Sequence, residues 1–98
     1  MKTKRIDYFA RNKPVYSKRF VKDFRKAPKK VQIAFRHRLE IFLTDQYHPI
    51  LNNHSLTGKY QEYRSLNITG DWRAIFRELE DGKVLYFDLI GTHSQLYR

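Results

Sequence analysis

The spacing of apolar residues changes once along this 98-residue chain, from the period of a helix to the period of a strand. Up to residue 44, apolar side chains recur three and four positions apart, which indicates amphipathic helices. After Gly58 they alternate with polar ones, which indicates strands with one buried face. Two helices followed by strands predict an α+β fold, with an antiparallel helical hairpin packed on one face of an antiparallel sheet.

Two helices are predicted in the first half of the chain. Ser17 is a good N-cap for the first, because its hydroxyl can accept a hydrogen bond from a free backbone N–H of the first turn. Pro28 suits the first turn of the second, which should run from about Lys29 to about Thr44 and end before Pro49. Residues 14–16 read as the end of a strand, and residues 1–12 as a frayed segment or a short edge strand.

Three strands are predicted in the second half, after a loop over residues 45–58. The first lies within residues 60–68, the second spans residues 72–79, and the third spans residues 84–90. Thr69-Gly70-Asp71 is expected to form the first turn. Asp81-Gly82 is a strong signal for a two-residue hairpin turn.

Length and composition predict one domain, residues 1–98. The chain is 41% hydrophobic and 15% aromatic, so it can form a core and disorder is not expected. It has no cysteine, which excludes disulfides and thiolate chemistry and fits a reducing compartment. No apolar run approaches the roughly 20 residues of a membrane span, so a cytoplasmic protein without a membrane partner is expected. No metal-ligand motif occurs, and neither a metal site nor a cofactor is predicted.

The positive charge is concentrated in the helical half. Residues 1–50 hold 14 Lys and Arg against 4 Asp and Glu, and residues 51–98 hold 6 of each. The net charge of +10 therefore belongs to the first half. Such an excess suits a polyanionic partner, either a nucleic acid or an acidic protein. A solvated basic helix face is the simpler alternative.

The polar breaks of the second half hold side chains that can bind phosphate, transfer a proton or stack on a base. Convergence of these side chains on one face of the sheet would make an RNA-binding site equipped for cleavage. They are His54, Arg64, Asp71, Trp72, His93 and Tyr97.

Four short motifs occur in a fixed order: HSLTG at residues 54–58, YRS at 63–65, GDW at 70–72 and GTHSQLY at 91–97. None is specific alone, but their order and spacing together resemble the YafQ branch of the RelE/ParE toxin superfamily. The predicted helical hairpin extends the resemblance to most of the chain.

The resemblance implies a helical hairpin packed on a twisted antiparallel sheet, in a toxin of a type II toxin–antitoxin pair. YafQ-like members are endoribonucleases that cut messenger RNA in the decoding site of the ribosome, and they use no metal or cofactor. A cognate antitoxin wraps the toxin and blocks its site. The complex often represses its own operon, so operator DNA is an indirect partner.

The resemblance also implies roles for particular residues. His54, Asp71, His93 and Tyr97 match functional positions of the family. Trp72 matches a tryptophan beside the acid, and Arg64 matches a common basic residue. The chain departs from the pattern at two positions: Asn67 replaces a histidine, and Leu89 stands where many members carry arginine.

Metal-free RNA cleavage needs a base for the 2′-hydroxyl proton, an acid for the departing 5′-oxygen and cations around the phosphorane. Imidazole titrates near neutral pH, so His93 is assigned as the general acid or as a phosphate contact. Asp71 is the candidate base, and His54 is a second candidate acid–base group. Structural roles remain open for each: a cap of the chain end for His93, turn chemistry for Asp71 and a plain loop position for His54.

RNA contacts are expected from basic and aromatic side chains. Guanidinium binds phosphate bidentately, and aromatic rings stack on splayed bases. Ion pairing with nearby glutamates is the alternative for the arginines, and core packing is the alternative for the aromatic rings. An acidic antitoxin is the other partner considered for the helical cations. The expected contacts are Arg64, Arg73, Arg77, Trp72 and Tyr97, with Lys18, Arg19 and Lys22 on the first helix.

Two other functions are compatible with the sequence. The replacements at Asn67 and Leu89 are compatible with a weak or inactive member that binds its antitoxin or RNA without turnover. A ParE-like gyrase inhibitor fits less well, because such a protein needs no histidine and aspartate constellation.

Overall fold

The computed structural model describes residues 13–97. Its α-helices are α1 (Lys18–Lys26), α2 (Lys29–Thr44) and α3 (His93–Leu96). Its strands are β1 (Lys13–Tyr16), β2 (His54–Ser55), β3 (Arg64–Thr69), β4 (Trp72–Leu79) and β5 (Val84–Thr92). Short 3₁₀ turns cover Pro49–Leu51 and Gly58–Tyr60. The edge strand considered for residues 1–12 lies outside the described residues.

Local signals set the limits of the helical hairpin. The Ser17 hydroxyl accepts a hydrogen bond from the backbone N–H of Phe20 at 2.9 Å, so the predicted N-cap of α1 is confirmed. The predicted limits of α2 are also confirmed. Only Ala27 and Pro28 join the helices, and the Gln32 side chain donates to the Ala27 carbonyl at 3.1 Å, which ties α2 back to the end of α1.

The strands form one sheet in the order β1-β5-β4-β3-β2. The run from β2 to β5 is antiparallel. The antiparallel run from β3 to β5 was predicted, whereas β2 lies in the segment of residues 45–58 that was predicted to be a loop. However, β1 adds to β5 in parallel, so the sheet as a whole is mixed. A bond from the Ser17 backbone N–H to the Phe87 carbonyl at 2.9 Å continues this pairing to the start of α1. Strand periodicity carries no information on such a pairing between distant segments.

One side of the sheet packs against the helices, and we call it the helix face; it carries Leu66, Ala74, Phe76 and Phe87. Phenylalanine rings dominate its core. The centroids of Phe76 and Phe87 are 5.3 Å apart, and those of Phe35 and Phe87 are 5.4 Å apart. In β4, Ala74 and Phe76 are fully buried in this core, but Ile75 between them is fully buried as well, so the prediction of a single buried face does not hold in the middle of this strand.

We call the other side of the sheet the site face; it carries Ser65, Arg73, Ile75 and Arg77, which alternate with the helix-face residues. Ile75 is fully buried here, although it lies outside the helix-face core. The end of β5 comes very close to α3. A Cβ added at Gly91 would lie 3.1 Å from the Gln95 Oε1 atom and 3.3 Å from the Leu96 side chain.

Within residues 13–97, no helix has both the length and the hydropathy needed to cross a bilayer.

Candidate active site and nucleic-acid interface

A backbone hydrogen bond joins the two best acid–base candidates. The N–H of His93 donates to the carbonyl oxygen of Asp71 at 2.8 Å. The neighbouring residues Trp72 and Thr92 are directly paired across β4 and β5. Both His93 and Asp71 are exposed. The fold therefore brings the 70–71 turn and the first residue of α3 together at one end of the sheet.

The short helix α3 exists because of a capping box that the sequence analysis missed. The Thr92 hydroxyl accepts from the Gln95 backbone N–H at 3.2 Å, and the Gln95 side chain accepts from the Thr92 backbone N–H at 2.8 Å. The signal is legible in the sequence as threonine followed three positions later by glutamine. The box turns the chain directly after β5, so that His93 occupies the first helical position.

A row of aromatic rings begins at His93. Its imidazole lies 4.7 Å from the centroid of the half-buried Tyr97 ring. The Tyr97 ring meets Tyr60 edge-to-face at 6.1 Å, and Tyr60 meets Tyr63 in the same way at 6.1 Å. The Lys59 ammonium lies 5.3 Å from the Tyr60 centroid. Sequence reasoning selected Tyr97 but missed Tyr60 and Tyr63, which extend the aromatic surface.

His54 is exposed on β2, at the other edge of the sheet. It pairs with Ser65, which places it on the site face. Its Nδ1 atom lies 2.7 Å from the Asn52 carbonyl oxygen. A carbonyl only accepts, so Nδ1 carries a proton in this arrangement. Since β3 and β4 separate β2 from β5, the structure does not bring His54 into the immediate His93–Asp71 pair.

Two of the predicted RNA-binding arginines lie on the site face. Arg73 is opposite Gly91 and Asn67 in the strand register. Its guanidinium donates to the Gly70 carbonyl at 3.0 Å, so positive charge is held beside the 70–71 turn. Arg77 forms an ion pair with Glu62 at 3.3 Å and lies over the Tyr63 ring.

Arg64 and Trp72 lie on the helix face, so the predicted convergence on one face does not include them. Arg64 pairs with Phe76, and its guanidinium donates to the Asn53 side chain at 2.8 Å and covers the Tyr47 ring. Trp72 packs half-buried against the core. The physical reason is strand parity, since residues paired across antiparallel strands share a face.

A buried carboxylate organises the edge of the site face. A β-bulge between β4 and β5 leaves Asp88 as the extra residue, and this residue is 6% exposed. Its carboxylate accepts two bonds from Arg19, at 2.7 and 3.2 Å, and one from the Tyr63 hydroxyl at 3.1 Å. The hydrogen-bonded Arg19 guanidinium holds the pKa of Asp88 below its usual value. Burial, followed by the bond to Asp88, raises the pKa of Tyr63.

The Asp88 contacts change the role of one predicted RNA-binding residue. Arg19 is committed to Asp88, although its side chain is 61% exposed. Lys18 and Lys22 are exposed on α1, as expected for cations that meet a polyanion. Nothing in the sequence links Asp88 to Arg19, because 69 positions separate them.

Asn67, the residue that departs from the family pattern, lies on the site face opposite Arg73. Its Oδ1 atom and the Ser65 hydroxyl are buried, and neither forms a hydrogen bond within residues 13–97. In the same part of the chain, no group of three His, Asp or Glu side chains is placed to hold a metal ion.

A family model described as the bacterial toxin of the type II toxin–antitoxin system, YafQ, matches residues 12–98. No curated protein sequence matches the chain significantly.

Several solved structures share the fold. The crystal structure of YafQ from E. coli strain BL21(DE3) superposes with a TM-score of 0.74 at 22% identity, covering 89% of this chain and 99% of that one. The E. coli DinJ-YafQ toxin–antitoxin complex matches with 0.72 at 23% identity, covering 90% and 99%. A YoeB/ParE toxin from Agrobacterium tumefaciens matches with 0.70 at 17% identity, covering 83% and 98%.

Proposed function

The chain belongs to the YafQ family of bacterial toxins of type II toxin–antitoxin systems, and we propose that it is a metal-independent endoribonuclease that cleaves messenger RNA at the ribosome. The observation that carries the proposal is the 2.8 Å backbone bond between His93 and Asp71. It holds an exposed imidazole and an exposed carboxylate on two adjacent segments at one end of the sheet.

In the proposed reaction, Asp71 takes the proton of a ribose 2′-hydroxyl, and the oxygen attacks the adjacent phosphorus. The bond from phosphorus to the 5′-oxygen breaks, and His93 gives its proton to that leaving oxygen. The products are a 2′,3′-cyclic phosphate and a free 5′-hydroxyl. Each positioned acid or base of this kind contributes about 10²–10⁴-fold to the rate.

Charge and stacking complete the proposed site. Arg73 lies next to the 70–71 turn and offsets the charge that develops on the phosphorane. The Tyr97 ring, already in contact with His93, stacks on a base beside the cleaved linkage. His54 is exposed on β2 and contacts RNA from the other edge of the site face.

The proposed partners follow from charge and from the family. The cations of α1 and α2 meet ribosomal RNA or an acidic cognate antitoxin. The fold likeness to YafQ in the DinJ-YafQ complex supports an antitoxin that covers the site. Operator DNA is proposed to be contacted only through that antitoxin, and the cytoplasm is the compartment where all these partners meet.

The test is inducible expression with mapping of messenger cleavage. The wild-type chain is expected to arrest growth and cut messages in a ribosome-dependent manner, and co-expression of the cognate antitoxin should restore growth. His93→Ala and Asp71→Ala should each lower cleavage by about 10²–10⁴-fold. His37→Ala is the matched control, because His37 is exposed on α2 and should leave cleavage unchanged.

Two other outcomes would replace the proposal. RNA binding without cuts would indicate an inactive binding member, as the changes at Asn67 and Leu89 would allow. Growth arrest with intact messages and inhibited topoisomerase would indicate a gyrase inhibitor.

A further inference from the structure

A second recess lies beside the proposed active site, at the edge of β5 that β1 does not cover. The pairing of β1 with β5 ends at Phe87, and the end of α1, the helix α3 and the 3₁₀ turn at residues 58–60 surround the strand beyond it. The recess has a volume of about 390 Å³, within the range of about 300–1,000 Å³ found for small-molecule sites. We call it the edge cleft, and its walls are Asp23, Lys26, Ala27, Tyr60, Trp72, Leu89, Ile90, Gln95 and Leu96.

The edge cleft is continuous with the catalytic segments. Trp72 directly follows Asp71, Gln95 belongs to α3 with His93, and Tyr60 contacts Tyr97. A ligand in the edge cleft would therefore lie beside two segments. One carries the proposed base Asp71, and the other carries the proposed acid His93.

The polar groups of the edge cleft are available to a ligand. Asp23 and Lys26 are three positions apart on α1, so they lie on the same helix face. Neither forms an ion pair or a side-chain hydrogen bond within residues 13–97. The Gln95 Oε1 atom accepts from Thr92, whereas its amide nitrogen makes no bond in the same range.

The remaining walls suit the flat surface of a base. Tyr60 and Trp72 supply two aromatic rings, and Leu89 and Leu96 supply apolar surface. Leu89 presents an apolar surface on the wall of the edge cleft.

We propose that the edge cleft binds one nucleotide of the RNA, with guanine preferred, next to the cleaved linkage. The base packs against Trp72 and Tyr60. The Asp23 carboxylate accepts from the N1–H and the 2-amino group of guanine, a pair of donors that uracil lacks. Lys26 contacts the phosphate of the same nucleotide. This assignment of a subsite rests on the proposed ribonuclease function.

The first measurement is a fluorescence titration of the full chain carrying His93→Ala, which avoids toxicity. Trp72 is the only tryptophan and lines the edge cleft, so its emission reports occupancy directly. Guanosine 5′-monophosphate is expected to quench it with an affinity at least tenfold higher than uridine 5′-monophosphate. Asp23→Asn should reduce this preference to less than threefold, and Lys26→Ala should weaken both ligands. Lys30→Ala, at an exposed position of α2, is the matched control and should change neither the preference for guanine nor the affinity for either nucleotide.

The second measurement compares cleavage sites in wild type and in Asp23→Asn, which lies outside the acid–base pair. Cuts beside guanine should fall relative to cuts beside other bases. Cleavage with no nucleotide binding and an unchanged cut pattern would overturn the edge-cleft assignment and leave the nuclease proposal intact. Guanine-selective quenching in a chain that cuts no message would overturn the nuclease proposal and leave the edge-cleft assignment intact.

Discussion

The two faces of the sheet use aromatic residues in different ways. On the helix face, Phe20, Phe35, Phe76 and Phe87 are almost completely buried and contact one another ring against ring. Beside the site face, Tyr60 and Tyr63 are only half-buried, and their hydroxyl groups donate to the Leu96 carbonyl and to the Asp88 carboxylate. The first face supplies stability through area removed from water. The second keeps polar and aromatic surface accessible, which is what a ligand needs.

The comparison teaches that hydrogen bonds to a buried carboxylate connect the edge of the site face to α1. The Asp88 carboxylate links α1, β5 and the segment before β3 through Arg19 and Tyr63. Substitutions on the helix face should therefore mainly lower the free energy of unfolding. Substitutions of the site-face tyrosines should mainly lower the affinity for RNA.

The largest change in the free energy of unfolding is expected for a substitution on the helix face. Phe87→Ala removes a fully buried ring that contacts Phe35 and Phe76, and such truncations cost about 3–5 kcal/mol in the free energy of unfolding. Urea denaturation followed by circular dichroism measures it. A loss below about 1 kcal/mol would mean that the helix face does not dominate stability, and the comparison would fail.

An intermediate effect is expected at the link between the faces. Asp88→Asn should lower the free energy of unfolding by about 1–3 kcal/mol at pH 7, because a buried charge-assisted pair is lost. The pKa of Asp88 in the folded protein lies below its usual value. The carboxylate therefore contributes its full share of the free energy of unfolding above about pH 4, the ordinary aspartate pKa. This contribution is lost as the pH falls through the lower folded pKa.

Denaturation curves for wild type and Asp88→Asn from pH 7 to pH 2 test the sign of this effect. The difference between the two proteins should shrink only below about pH 4. A gap that stays constant to pH 2 would show that the carboxylate charge is not what stabilises the link. Glu78→Gln, at an exposed position of β4, is the control for a general loss of negative charge.

The smallest effect is expected at Tyr97. Tyr97→Phe keeps the ring that meets His93 and Tyr60, so the free energy of unfolding should change by less than about 0.5 kcal/mol and RNA affinity should stay the same. Tyr97→Ala should instead cost about 1–3 kcal/mol of RNA binding, the value of one stacked base. Equal affinities of the Phe and Ala variants for a short single-stranded RNA would exclude a stacking role.

The sequence predicts those parts of the fold that depend on local signals. Ser17 caps α1, and Pro28 and the apolar period place α2 at its observed limits, because capping and periodicity act over a few residues. The strand from Trp72 to Leu79 was predicted with its limits for the same reason. The α3 capping box of Thr92 and Gln95 is equally local and was simply overlooked.

Relations between distant segments were beyond sequence reasoning. The parallel pairing of β1 with β5 and the contact of Arg19 with Asp88 join opposite ends of the chain, and no period encodes them. Arg64 shows a second limit of prediction from sequence. Its guanidinium could bind phosphate, but the strand register places it on the helix face. For the candidate site, the sequence identified His93, Asp71 and Tyr97 as chemical types, whereas the backbone bond that brings the first two together emerges only from the fold.

Gly91 has a consequence for how this protein can vary. Because α3 lies so close to the backbone there, a methyl group at position 91 would require the Gln95 and Leu96 side chains to move by a few tenths of an ångström. The absence of a side chain at position 91 thus lets α3 pack closely on β5, with His93 beside the 70–71 turn. A larger residue at position 91 is therefore expected to shift α3, and with it His93, without changing any candidate reactive side chain.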